Sequence, residues 1–216
     1  MTLQNPADVA LDASGNIYIA DAGLNKVIKL DQNGSYVAQF GDAGTAPGQF
    51  QEPIAVTVDS EGNIYVADST NRRIQKFGPD FTFITAWDSE NSEPGQVDIP
   101  IDLTVGAERI YVTFSAASAR VEYFDLDGEY LGSFDGFTSI GGIALDADGF
   151  VYVGDSSGPI QKFSPDGEFI ARFGALGSGD GQFTIFTAIR VAVDAGGNVY
   201  ATDSGAGRIQ VFQPVS

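Results

Sequence analysis

The chain has 216 residues, of which 43% are hydrophobic and 16 are phenylalanine, enough apolar material to pack one domain and too much for a disordered segment. Its 29 acidic residues against 11 basic ones give a net charge of −18, which repels nucleic-acid phosphates and anionic membranes. It contains no histidine and no cysteine, which removes Ser–His triads, imidazole and thiolate metal sites, cysteine nucleophiles and disulfides.

The chain opens on DVALD at 8–12, where small and apolar residues alternate as in a strand with two unlike faces. The turn ASGN follows, its glycine supplying a positive φ, and leads into an aromatic strand, GNIYIAD at 15–21. A short loop, a third strand in KVIKL, a second hairpin signal in DQNG and a fourth strand in SYVAQF complete the unit.

The same order then returns four times. AVTVD at 55–59 precedes GNIYVAD at 62–68 and RIQKF at 73–77, and DLTVG at 102–106 precedes ERIYVTF at 108–114, DLDG and EYLGSF. GIALD at 142–146 precedes GFVYVGD at 149–155, SPDG and EFIARF, and RVAVD at 190–194 precedes GNVYATD at 197–203 and RIQVF. The aromatic strands end at 21, 68, 114, 155 and 203, spacings of 47, 46, 41 and 48, so five units fill the chain. They run approximately over 5–50, 51–97, 98–138, 139–185 and 186–216 as one domain, 1–216.

A four-stranded antiparallel unit cannot bury both of its faces alone, so radial stacking is the economical solution. The expected fold is all-β: a β-propeller of about five four-stranded blades, the last lacking its outer strand because the sequence stops soon after RIQVF. A linear array of small sheets is the alternative. The linkers FGDAGTAPGQF at 40–50 and FGALGSGDGQF at 173–183 share F-G-x-x-G-x-x-x-G-Q-F, and WDSENSEPGQV at 87–97 is a divergent version. With DSTNRRIQKF at 68–77 and GNIYVAD, these phrases resemble NHL repeats, the propeller blades of many scaffold and sensor proteins. Four units match this pattern well; the third lacks both DS and the GN turn.

On that resemblance, the Asp closing the second strand and the basic residue opening the third lie near one loop on one face of the disc. Asp21, Asp68 and Asp203 are each followed five residues later by Lys26, Arg73 and Arg208, which suggests a repeated ion pair within or between blades. Unit three has Phe114 in place of Asp but keeps Arg120, and unit four keeps Asp155 but has Pro159 in place of the basic residue. Pairing across the boundary would let Arg120 meet Asp155. Where the repeat breaks, function is sought: Phe114, Arg120 and Asp155, together with Asp88, Glu90 and Glu93 in the acidic linker that runs on to Asp98 and Asp102, are the candidate partner-binding residues.

No cofactor is expected, although calcium is a candidate if propeller symmetry gathers Asp21, Asp68, Asp155 and Asp203 at a central opening. DLDG and DADG lack the full spaced ligand set of calcium loops and read as hairpin turns. Among similar propellers are peptide-amidating lyases, streptogramin lyases and calcium-dependent lactonases. The lyase sites rely on histidine, and no positions match the lactonase set. The resemblance therefore implies a non-catalytic scaffold that binds a protein or small-molecule ligand through its loop-bearing face or central channel. The alternatives are a calcium-dependent hydrolase or lyase using a channel carboxylate, and a propeller fragment, natural or engineered, without activity of its own.

Some NHL proteins bind RNA through a basic face, but NRR at 71–73 is the only adjacent basic pair, so no nucleic-acid partner is expected. No apolar run approaches the ~18 residues that span a bilayer, and MTLQNPADVALD has no basic region followed by an apolar stretch. A soluble chain with no membrane partner and no signal peptide follows, whether cytoplasmic or a trimmed secreted domain. A monomeric five-bladed ring is the simplest closure; a larger propeller, or a dimer through the incomplete last blade, are the others.

Overall fold

In a computed structural model, which describes residues 2–88, 98–115, 119–184 and 189–213, the chain is a β-propeller of five blades. Blade one is built from Pro6–Leu11, Ile17–Asp21, Lys26–Leu30 and Tyr36–Phe40, and blade two from Pro53–Val58, Ile64–Asp68, Arg73–Phe77 and Phe83–Trp87. Blade three contains Ile99–Val105, Arg109–Ser115, Arg120–Asp125 and Tyr130–Phe134; blade four contains Ile140–Leu145, Val151–Asp155, Ile160–Phe163 and Phe169–Phe173. Blade five has three strands, Val191–Val193, Val199–Asp203 and Arg208–Phe212. Within each blade, neighbouring strands pair antiparallel in chain order. No described residue is helical, so no described helix is long and apolar enough to cross a membrane.

The first turn of a blade is fixed by the aspartate that ends the first strand. Asp59 Oδ1 accepts from the amides of Glu61 and Asn63, while Oδ2 accepts from Asn63 Nδ2 and the Tyr65 hydroxyl at 3.0 Å. Asp146 and Asp194 repeat the arrangement, with Tyr152 and Tyr200 donating at 3.0 and 3.1 Å. In blades two and four the tyrosine therefore has two tasks, filling the core with its ring and locking the turn with its hydroxyl. DLDG is likewise a hairpin turn: Asp125 Oδ1 accepts from the amides of Asp127 and Glu129, and Gly128 takes φ 93°.

Apolar faces meet between successive blades. Tyr18, Val27, Phe50, Val56, Val66 and Phe77 join blades one and two; Tyr65, Ile74, Leu103, Val112 and Phe124 join two and three. Tyr111, Val121, Ile143, Val153 and Phe163 join three and four, and Tyr152, Ile160, Phe183, Ile189 and Val199 join four and five. The faces that would meet in a closed five-bladed ring stay open to solvent. On blade one, Val9 and Leu11 are 60% and 63% exposed, and on blade five Ile209 and Val211 are 67% and 55% exposed. Among the described residues, the apolar side chains of blades one and five do not cover each other.

The tightest joint is between blades four and five. A Cβ on Gly154 would fall inside van der Waals contact of the Ile189 carbonyl oxygen, and one on Gly141 would meet the same backbone. Gly154→Ala is expected to lower stability by about 1–3 kcal/mol through overpacking against immovable backbone, measured by urea denaturation; an unchanged midpoint would show that the joint is looser than described.

Candidate functional site in the central channel

The second-strand aspartates are held separately, each within its own blade. Asp21 accepts from the amides of Gln4, Asn5, Gly23 and Leu24. Asp68 accepts from the Gln51 amide, Asn71 Nδ2, Arg73 Nε and Gln75 Nε2 at 2.7–3.0 Å. Asp155 takes the amides of Thr138, Ser139 and Ser157, and Asp203 takes those of Thr184 and Arg208 Nε, with the Thr184 hydroxyl also donating to it. All four are buried. Burial raises the pKa of Asp21, but its four amide donors outweigh that and hold it below the ordinary value. For Asp203, the Thr184 hydroxyl leads in lowering the pKa. The four carboxylates do not converge, and among the described residues no three acidic side chains group as a metal ion would require.

The pairing runs within a blade. Arg73 reaches Asp68 at 2.8 Å and Arg208 reaches Asp203 at 3.0 Å, directly across the hairpin in each case. Lys26 instead turns to Asp42, at 3.0 Å, and the Gly41 carbonyl. The rest of the repeated phrase clamps the incoming linker. Arg73 Nη2 donates to the carbonyls of Ala46 and Gln49, and Gln75 takes the Gly48 amide and donates to Gln49 O. Arg208 and Gln210 treat residues 179–182 in the same way.

Arg120 does not meet Asp155. It ion-pairs with Asp98 and with Glu122, the latter at 2.7 Å, and its guanidinium lies over the Phe114 ring. Phe114, Arg120, Glu122 and Asp98 are all buried. The break in unit three is therefore a relocated charge pair, the acid moving from the second strand to the linker, and the candidate residues Phe114 and Arg120 are buried at it. Asp155 is likewise occupied by linker amides. Asp88 is exposed, and Glu90 and Glu93 lie outside the described residues.

A different column of residues, on the first strands, links neighbouring blades. The first strands of blades one to four each have a register shift near their start, between Pro6 and Asp8, Pro53 and Ala55, Pro100 and Asp102, and Ile140 and Ile143. Such a bulge re-aims the residue that follows it. The aligned positions are Asp8, Ala55, Asp102, Gly142 and Arg190. Asp8 Oδ2 accepts from the Val56 amide of the next blade at 2.9 Å, and Asp102 Oδ2 accepts from the Ile143 amide of the next blade at 3.1 Å. Arg190 Nη1 reaches back over blade four to Asp102 at 3.1 Å and to the Ile101 carbonyl. Gly142 makes this possible, since a Cβ there would sit 2.8 Å from Arg190 Cα and 3.1 Å from Asp102 Oδ2.

Burial, reinforced by the Asp8 charge, pushes the Asp102 pKa up to about 7 against the opposing pull of Arg190 and two amides. Burial likewise raises Asp8, against the Val56 and Val9 amides and Arg190. Sequence reasoning noticed Asp102 only as part of an acidic stretch and missed Asp8 and Arg190. Reading down the aligned first-strand column, where two carboxylates and a guanidinium replace Ala and Gly, would have found them.

At the other end of the first strands, the turn of blade three is shorter. Gly106 N donates to Arg109 O, whereas the equivalent turns close from Asp59 to Asn63 and from Asp146 to Phe150. Beside it lies a groove of about 460 Å³ lined from blades three, four and five by Val105, Ala107, Leu145, Asp148, Val193 and Asp194. A second hollow of about 300 Å³, sharing Gly106, Leu145 and Asp148, continues it toward Glu108, Arg109 and Asp166.

The NHL repeat model matches residues 50–77 and 188–212. The matches fall on the first three strands of blade two and on blade five. No curated protein matches the chain. Among solved structures it is similar to a streptogramin B lyase, with TM-score 0.67 and 19% identity over 96% of this chain and 68% of that one. It is also similar to a catalytically inactive histidine-to-alanine variant of virginiamycin B lyase from Staphylococcus aureus with quinupristin, at TM-score 0.69 and 16% identity over 94% of this chain and 64% of that one. A selenomethionine-substituted virginiamycin B lyase from the same organism gives TM-score 0.68 and 13% identity over 98% and 71%. The chain spans about two thirds of the length of each, and at such identities the likeness is one of fold.

Asp102 keeps its proton in the folded chain up to about pH 7, whereas an ordinary Asp releases it near 3.8. The folded state therefore binds the extra proton between these values, so this group's contribution to stability is greatest below pH 3.8 and declines as pH rises toward 7. Asp102→Asn is expected to remove on the order of 2–4 kcal/mol of that decline, read as urea midpoints at pH 4 and 8. An unchanged pH slope would contradict the buried-acid account.

Proposed function

We propose that the chain is a non-catalytic binding module that takes a small molecule or a short protein segment at its central channel. The observation that carries this reading is the groove of about 460 Å³ where the first strands of blades three, four and five end. Its lining combines Val105, Leu145 and Val193 with the carboxylates of Asp146, Asp148 and Asp194, a make-up suited to a ligand with an apolar body and a charged head. Asp148 lies in both hollows. With the net charge of −18, this edge favours a ligand carrying an ammonium or guanidinium group.

The names of the similar structures bring a lyase to mind. In one of them, replacement of a histidine accompanies loss of catalysis, and this chain has no histidine to serve in that way.

Two measurements test the proposal. Titration with cationic di- and tripeptides, followed by amide NMR shifts, is expected to move residues 104–107, 146–149 and 193–195 selectively; shifts scattered over the surface, or none, would overturn the groove as the binding site. Quinupristin incubated with the protein is expected to elute unchanged on chromatography, and a new enzyme-dependent product would replace the binding-module reading by a catalytic one.

A further inference from the structure

The first turn of blade three departs from its counterparts at two positions. Gly106 stands where the other blades have Asp12, Asp59, Asp146 and Asp194, and Arg109 stands where three of them have Asn16, Asn63 and Asn198. In those three turns the asparagine side chain donates to the aspartate. With no acid at 106, Arg109 reaches the next blade instead, its Nη1 donating to Asp166 at 2.7 Å and to the Pro165 carbonyl at 2.9 Å. The Tyr111 hydroxyl, equivalent to those that lock other turns, also donates to Pro165 O, at 2.9 Å. Gly106 lines both hollows, and a Cβ there would stand 3.1 Å from Leu145 Cδ1, where the hollows join.

Three charged groups in the second hollow have binding capacity left. A guanidinium carries five N–H donors. Arg109 Nη1 uses two of them on blade four, so donors remain on a side chain that is 31% exposed. Glu108 and Asp148 are exposed, and their carboxylates accept no hydrogen bond and form no ion pair among the described residues. Asp146 and Asp194, by contrast, are committed to Tyr152 and Lys162 and to Asn198 and Tyr200. The acids able to meet a ligand's cation are therefore Glu108 and Asp148, which share one hollow with Arg109.

A purely cationic ligand would set its charge against Arg109, and a purely anionic one against Glu108, Asp148 and the net charge of −18. A molecule carrying both signs satisfies both. We propose that the groove takes a short peptide with a free C-terminus, its carboxylate held by Arg109, its ammonium groups by Asp148 and Glu108, and an apolar side chain against Leu145 and Val105. Arg109 is then the residue that sets specificity for a terminal carboxylate, because its planar fork matches that group. This inference rests on the groove reading and adds an anion subsite to it.

The probe is the dipeptide Lys-Leu with a free carboxylate, compared with its C-terminal amide by isothermal titration calorimetry on the intact chain. The acid form is expected to bind about tenfold more tightly than the amide, the effect of one charge-assisted pair. Arg109→Met is expected to bring the acid form down to the level of the amide. Asp166→Asn, which breaks the same ion pair but keeps the guanidinium, is expected to retain the preference. The comparison of the two peptides on the unaltered chain holds whether or not Arg109→Met folds. Equal binding of acid and amide, with amide shifts still confined to residues 104–107, 146–149 and 193–195, would overturn the carboxylate subsite and leave the groove reading standing. Binding by neither would overturn both, and a preference for the acid that survives Arg109→Met would overturn the role of Arg109.

Discussion

The fold depends on a buried carboxylate at the end of the second strand that receives the backbone of the arriving linker. A linker between blades carries amides with no ladder to join, and burying them unpaired costs about 1–3 kcal/mol each. Asp21, Asp68, Asp155 and Asp203 meet that need by accepting from one to four backbone amides apiece. Each carboxylate is in turn stabilised by those donors, so neither partner is comfortable alone. Where Phe114 replaces the acid, Asp98 enters from the linker and Arg120 turns to it. The charge has moved by one element, and the blade is preserved.

This explains which parts of the molecule were legible from the sequence. The five units and their strand order follow from periodicities of 41–48 residues and from turn chemistry. DxxGN turns are local, and local signals survive in a sequence. An ion pair involving Asp68 and Arg73 was also legible, though not whether it forms within or between blades; the hairpin sets the two opposite each other. What was not legible depends on contacts between blades. Arg190 finds Asp102 over a gap of 88 positions, through the space left by Gly142. Ring closure belongs to the same class, since it turns on whether Leu11 and Val211 meet, which no single repeat encodes.

Regularity and function divide the molecule between them. The recurring D-S…R-I-Q phrase is spent on linkers. Its carboxylates and guanidiniums are saturated by main-chain groups and by one another. The departures from the repeat lie elsewhere: the first-strand column of Asp8, Asp102 and Arg190, and the shortened turn at Gly106–Arg109. Repeat proteins often bind through such departures, because the scaffold around them is over-determined.

The most direct test of the account is amide hydrogen exchange at the linker positions bonded to the second-strand carboxylates: Gln4, Asn5, Gln51, Thr138, Ser139 and Thr184. The account predicts protection close to that of the central blade strands, although these residues belong to connecting segments. Exchange as fast as at the exposed hairpin tips would contradict it, and would mean that the buried aspartates do not hold the blades together.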